Sequence, residues 1–249
     1  MVLLIDIGNS FISTACLFKN RYLRTSIPNC KNYINKDKLK ELVNFYKKKK
    51  IKFSLVVICS VVPSIDEFII QFFCNLKIQV MYVNKLINKL SIETNIVEKK
   101  KIGSDRLVNV FYTINKLSTP ALIIDLGTAT TFDYINEKNI YEGGIILPGI
   151  DISMNALSTF TAKLPKVKFN KTNELISNNT KGAISSGFYW GYYCMIEGLV
   201  NKIRKQKQLK IKTILTGGHS NLFSKNNFID LIDRDLTMKG LYLIHDKFR

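Results

Sequence analysis

The chain has 249 residues, enough for one large domain or two modest ones, and its 46% hydrophobic content excludes a disordered protein. A formal charge of +18 points at first towards nucleic acid, but Lys outnumbers Arg 31 to 6 and is spread along the whole chain, so it reads as compositional bias and not as a binding stripe. The five cysteines, Cys16, Cys30, Cys59, Cys74 and Cys194, form no C-x-x-C pair and are expected as free thiols. The N-terminal apolar run, Val2 to Ile5, is too short for a signal segment, and no stretch reaches the length of a membrane span. The composition therefore predicts a soluble, cytoplasmic chain with neither a membrane nor a nucleic-acid partner.

The first 24 residues read as strand, turn, strand, with Ser13 to Phe18 as the second run and a turn at Asn20-Arg21. Leu39, Leu42, Val43 and Tyr46 recur at helical spacing over 37–48. Ser54 to Cys59 is strongly β-branched, as a central parallel strand requires. A helix beginning near Pro63 carries Phe68, Ile69, Phe72 and Phe73, and Gln79 to Val83 is a further strand. The polar segment 85–102 has no clear period and is expected as a loop or lid. Residues 104–117 form a helix whose apolar face holds Leu107, Val110, Phe111, Ile114 and Leu117. Ser118-Thr119-Pro120 ends it and marks the expected boundary between domains 1–117 and 118–249.

The second half opens as the first does, with strands at Ala121 to Leu126 and Thr130 to Ile135. A long helix over 180–205 carries Ile184, Phe188, Tyr192, Met195, Leu199 and Ile203, and its glycines at 182, 187, 191 and 198 suggest close approach by another backbone or by a ligand. Lys212 to Leu215 is a final strand leading into Gly217-Gly218. Strands alternating with helices predict an α/β sheet in each half.

One motif occurs twice. Leu3-Leu4-Ile5-Asp6-Ile7-Gly8-Asn9-Ser10 and Leu122-Ile123-Ile124-Asp125-Leu126-Gly127-Thr128-Ala129 are both apolar runs that end in Asp, an apolar residue, Gly and small polar residues. The Gly permits a tight turn, the hydroxyls and N–H groups suit phosphate oxygens, and the Asp suits a cation. One copy alone reads better as an ordinary hairpin turn; two at matching points of two halves suggest related domains gripping one nucleotide. Gly103-Ser104-Asp105-Arg106 is either a helix cap or a base, Asp105, beside a substrate anchor, Arg106. Gly143-Gly144 through Pro148-Gly149 is a tight loop or part of the site. Thr180 is a plain N-cap or a hydroxyl aimed at substrate, and Thr216-Gly217-Gly218 is a strand-to-helix turn or a seat for a planar base. His219 and His245 are the only histidines, and neither is assigned a catalytic role.

Together these segments resemble the type III pantothenate kinases, bacterial members of the actin and sugar-kinase superfamily. Thr161-Ala162-Lys163-Leu164-Pro165, Asn179-Thr180 and Asp235-Leu236-Thr237-Met238-Lys239-Gly240-Leu241 add to the resemblance, which spans nearly the whole chain. It implies an α/β fold of two tandem ribonuclease-H-like (actin-like ATPase) domains with a nucleotide cleft between them. It also implies ATP-dependent phosphorylation of pantothenate to 4'-phosphopantothenate, the first step of coenzyme A synthesis. Carried over by motif, Asp6, Ile7, Gly8, Asn9, Ser10, Phe11, Ile12, Ser13 and Thr128 are ATP contacts. Gly103, Ser104, Asp105, Arg106 and Thr180 are pantothenate contacts, with Asp105 as the catalytic proton acceptor. Asp125 is the ligand of a monovalent cation, potassium or ammonium; Mg2+ accompanies ATP; and the protein is a homodimer. The chain departs from the family between Thr94 and Ile102, which lack the aromatic residue and Pro often found before G-x-D-R. The competing expectations are another small-molecule kinase of the same superfamily and a non-catalytic, regulatory nucleotide binder.

Overall fold

A computed structural model describes residues 1–29, 34–98, 101–223 and 226–249; Cys30 and part of the 85–102 segment lie outside the described residues. The chain divides into two units. The first comprises Met1–Glu93, Val97–Lys116 and Asp235–Arg249, and the second Thr94–Ile96 and Leu117–Arg234.

In the first unit, strands β1 (Val2–Ile7), β2 (Phe11–Phe18), β3 (Arg21–Pro28), β4 (Leu55–Ser60) and β5 (Gln79–Tyr82) form one sheet in the order β3-β2-β1-β4-β5. β1 runs antiparallel to β2 and parallel to β4. The two-residue period of β1 splits its side chains between two cores. Leu3, Ile5 and Ile7 pack with α1 (Lys36–Lys48) and α2 (Pro63–Asn75), through Leu39, Leu42, Tyr46, Ile69 and Phe73. Leu4, Val57 and Cys59 pack on the other face with α3 (Ser104–Lys116) and the C-terminal helix α6 (Leu236–Phe248), through Val108, Phe111, Leu241 and Ile244. Asn35 caps α1, its Oδ1 accepting from Asp37 N–H at 3.1 Å and Lys38 N–H at 3.0 Å.

The second unit repeats this plan. Strands β6 (Ala121–Leu126), β7 (Ala129–Ile135), β8 (Tyr141–Pro148), β9 (Lys212–Gly217) and β10 (Leu231–Ile232) are ordered β10-β9-β6-β7-β8. Read from the other end, this is the strand order of the first sheet, with β6 antiparallel to β7 and parallel to β9. Leu122, Ile124 and Leu126 pack against α4 (Ile150–Thr159) and α5 (Thr180–Lys207), chiefly through Ile150, Met154, Tyr189, Ile196 and Val200. The duplicated motif is thus a duplicated fold, an α/β architecture built of two sheets of the same topology.

Three elements differ from the sequence expectation. The Gly143–Gly149 segment is mostly strand β8; only Gly143, at φ +117, has the backbone that a tight loop would need. Its edge is lined by Thr94, which bridges to Tyr141, and by Ile96, whose side chain lies against Gly143; that part of the 85–102 segment is therefore packed rather than free. The expected second domain ran to residue 249, whereas Asp235–Arg249 belong to the first unit. The cause is α6, whose Gly240 lies so close to Val108 of α3 that a Cβ there would stand 2.7 Å from the Val108 carbonyl oxygen.

Helix α5 carries the apolar stripe from Ile184 to Ile203, and its most buried residues are Ser186, Tyr189, Ile196 and Val200. Ile184, Phe188, Tyr192 and Met195 line an open, almost wholly apolar groove of roughly 550 Å³. The helix therefore has two apolar faces, of which the sheet covers one.

Candidate active site

Strand pairing brings the polar residues of the first motif to one sheet end. Asp6 faces Ser13 across the β1–β2 hairpin and Cys59 across the β1–β4 pair. The intervening turn is closed by Gly8 N–H donating to the Phe11 carbonyl at 2.9 Å. Asn29 braces it: Asn29 Nδ2 donates to the Gly8 carbonyl, and Asn29 N–H donates to the Ser10 carbonyl at 2.8 Å. Asn29 is buried, and the sequence reading did not single it out. Asn9 and Phe11 are exposed at the tip of the turn, while Ile7 and Ile12 are in the core.

Because side chains alternate along a strand, Asp6 shares the α3 face with Leu4 and not the α1/α2 face with Ile5 and Ile7. Helix α3 begins on that face with Ser104 and Asp105. Cys59 reports on their proximity. Burial first, then the negative charges of Asp6 and Asp105, push its thiol well above the usual cysteine value. Asp6 and Asp105, 99 positions apart in sequence (105 minus 6), thus act on one buried sulfur at the carboxyl end of the sheet. Open α/β sheets place their ligand sites at that end.

Asp105 is half-buried in the first turn of α3, and its Oδ1 accepts from Arg106 N–H at 2.7 Å. Gly103 makes this possible, since a Cβ there would stand 2.5 Å from the same oxygen. The neighbouring Asp66, in the first turn of α2, also raises the Cys59 thiol and accepts from Tyr82 OH. Neither Asp66 nor Tyr82 was expected in this cluster, because each reads in sequence as an ordinary helix or strand residue.

The second motif is built alike. Asp125 faces Thr131 on β7 and Thr216 on β9. Gly127 N–H closes its turn by donating to the Ala129 carbonyl at 3.2 Å. Two glycines clear the surroundings of the carboxylate: a Cβ on Gly217, at φ +93, would lie 2.6 Å from Asp125 Oδ1, and one on Gly127 would lie 3.4 Å from it. Gly149 N–H donates to the Thr128 carbonyl at 3.1 Å, fixing the start of α4 against this turn. His219 follows the Gly217-Gly218 pair, and its Nε2 lies 3.0 Å from Asp151 Oδ2 of α4.

Thr180 is the first residue of α5 but not its cap; Asn179 caps the helix, with Oδ1 accepting from Gly182 N–H at 2.9 Å. Thr180 is exposed and lines the apolar groove. Of the four glycines in α5, only Gly182 is crowded; a Cβ on Gly187, Gly191 or Gly198 would meet nothing within 4 Å. Among the described residues, no backbone makes the close approach those three had suggested.

Among the described residues no helix is long and apolar enough to cross a membrane. Cys16 and Cys59 are buried free thiols, and Cys74 and Cys194 exposed ones.

Comparison with known proteins bears on the fold and the family. Among solved structures, a Campylobacter jejuni protein provisionally assigned to the Baf family of transcriptional activators superposes with a TM-score of 0.61 at 22% identity, covering 99% of this chain and 98% of that one. The ethanolamine utilization protein EutJ from Carboxydothermus hydrogenoformans gives a TM-score of 0.56 at 12% identity, over 97% and 88% of the two chains. At such identities these likenesses speak for the fold alone. The type III pantothenate kinase of Sulfurihydrogenibium sp. (strain YO3AOP1) is 37% identical over 211 residues, 83% of this chain and 82% of its own length. Residues 2–202 match the family profile of type III pantothenate kinase. With two copies of one nucleotide-binding plan and this match over most of its length, the chain belongs to the type III pantothenate kinase family.

Proposed function

We propose that this chain transfers the γ-phosphoryl group of ATP to the primary hydroxyl of pantothenate, with Asp105 as the proton acceptor. What supports it is the pairing of Asp6 with Cys59 across β1 and β4, together with the bond from Cys59 Sγ–H to Ser104 Oγ at 3.2 Å, which brings the residue next to Asp105 beside the phosphate-loop strand. The loop from Asp6 to Ser13 and Thr128 contact ATP, while Gly103, Ser104, Arg106 and Thr180 contact pantothenate. The Arg106 guanidinium suits the substrate carboxylate, which it can meet with two parallel N–H bonds. Asp105 accepts the hydroxyl proton as the oxygen attacks phosphorus, so that the base is used late, as in other phosphoryl transfers.

Asp125, cleared by Gly127 and Gly217, is the residue that holds a monovalent cation, and Mg2+ accompanies ATP. Such cations supply positive charge beside the phosphates, where most of the catalysis of phosphoryl transfer resides. A coupled ADP-release assay tests the reading. ADP release is expected to depend on pantothenate, to be absent with a panel of sugars, and to fall when potassium and ammonium are replaced by sodium. Release with a sugar, or none with any acceptor, overturns it in favour of a different kinase or a regulatory binder.

The working unit is a homodimer. What supports this is the second apolar face of α5, where Gly187 and Gly191 leave open space beside Ile184 and Phe188. Ile184→Arg is expected to shift the mass measured by light scattering from two chains to one. A dimer that survives the change removes this face from the interface.

A further inference from the structure

The end of β4 carries a pair of bonds that phosphoryl transfer does not by itself explain. Cys59 is fully buried, and its Sγ–H donates to Ser104 Oγ over 3.2 Å. The Ser104 hydroxyl donates in turn to the Ser60 carbonyl over 2.6 Å. A serine hydroxyl has a single proton to donate. With that proton on Ser60 and the Cys59 thiol on its oxygen, Ser104 Oγ is committed to the strand, and Ser104 itself is 4% exposed.

The receiving strand end is itself fixed. Asn84 Nδ2 also donates to the Ser60 carbonyl at 2.7 Å, and Asn84 Oδ1 accepts from Ser60 N–H at 3.1 Å. Ser60 Oγ accepts from Val62 N–H at 3.0 Å. The first residue of α3 is therefore tied to a rigid point, and Asp105 is the next residue along the helix. In the second unit the residue paired with the motif carboxylate is Thr216, in the place that Cys59 occupies in the first.

We propose that Cys59 and Ser104 are positioning residues for Asp105: the thiol orients the Ser104 hydroxyl, and the hydroxyl pins the first turn of α3 so that the Asp105 carboxylate is held where the acceptor alcohol loses its proton. Ser104 then meets the substrate through its backbone, and its hydroxyl serves the site by anchorage. The inference rests on the reading of Asp105 as the base. Misplacing a catalytic group by a fraction of an ångström to an ångström slows the chemical step without weakening the binding of the other substrate.

The test uses pantothenate-dependent ADP release by the full chain. Ser104→Ala is expected to lower kcat by about tenfold with an unchanged KM for ATP. Cys59→Ala is expected to lower kcat in the same direction by less, and Cys59→Ser, which restores a proton donor, to recover most of that loss. The decisive measurement is the double variant. Two residues that act through one group lose rate non-additively, so Ser104→Ala is expected to cost nothing more in an Asp105→Asn background.

A merely structural role predicts that the two losses multiply, or that the ATP KM rises along with the fall in kcat; either result overturns the proposal. So does an unchanged kcat in Ser104→Ala. Should Ser104→Ala not fold, the Cys59→Ala and Cys59→Ser pair decides the matter, because equal turnover in the two removes the thiol from the role. The failures are distinguishable. A wild type without pantothenate-dependent turnover overturns the kinase reading and this proposal together. An active wild type with an active Asp105→Asn variant overturns the base assignment. An impaired Asp105→Asn variant beside an unimpaired Ser104→Ala overturns the positioning alone.

Discussion

Replacing Asp105 by Asn is expected to lower pantothenate-dependent turnover by about two to four decades, the loss typical of a positioned base. The two side chains have the same shape, and the Asn carbonyl can still accept from Arg106 N–H, the bond that Asp105 Oδ1 makes at 2.7 Å. The space that Gly103 leaves for that oxygen is unchanged. What is lost is basicity: an amide oxygen does not take up the hydroxyl proton. The expected pattern is a fall in kcat with little change in the KM for ATP, in a protein whose circular dichroism and melting temperature match the wild type. Steady-state kinetics check it, and near-normal turnover removes Asp105 from the role.

The second large effect is expected at Gly149. Its backbone, at φ −73 and ψ 162, is open to any residue, so conformational strain is not the issue. Close approach is the issue: a Cβ there would stand 2.2 Å from the Thr128 carbonyl oxygen and 2.4 Å from that of Gly127. Both are backbone atoms and cannot rotate away. Gly149→Ala must therefore displace either the Gly127–Thr128 turn or the start of α4. Forced overpacking of this kind costs about 1–3 kcal/mol, which lowers the melting temperature of a chain this size by several degrees. Because the same turn is the proposed second contact with ATP, the KM for ATP is expected to rise by about tenfold or more. Differential scanning fluorimetry and an ATP titration check the two effects. An unchanged ATP KM alongside a lowered melting temperature separates the turn from nucleotide binding.

Several features of the site were legible in the sequence because their signals are local. Apolar runs ending in Asp-x-Gly marked β1 and β6 and the turns after them, and helical spacing marked α1 and α3. Other features carried no local signal. β8 contains two adjacent glycines and reads as a loop; it is a strand because β7 pairs with it along its length. The apolar stripe of α5 marked the helix, but only the packing of Tyr189, Ile196 and Val200 against the sheet reveals which residues are buried and which line the groove. Asp66 and Tyr82 belong to different elements, and nothing in the spacing of either announces their bond. The tie from Cys59 through Ser104 to Ser60 was hidden for the same reason.

The sequence by itself determined the duplication, the α/β character of each half, the two carboxylates at strand ends and the family to which the chain belongs. These depend on residue type and short-range periodicity, which a chain displays before it folds. Only the tertiary structure decided that α6 returns to the first unit and that Gly149 has no room for a side chain. It also decided that Asp6 pairs with Cys59 and that Cys59 bonds to Ser104, the neighbour of Asp105. These depend on which strands pair and which helices cover them, and such long-range contacts are fixed by the joint packing of segments far apart in the chain.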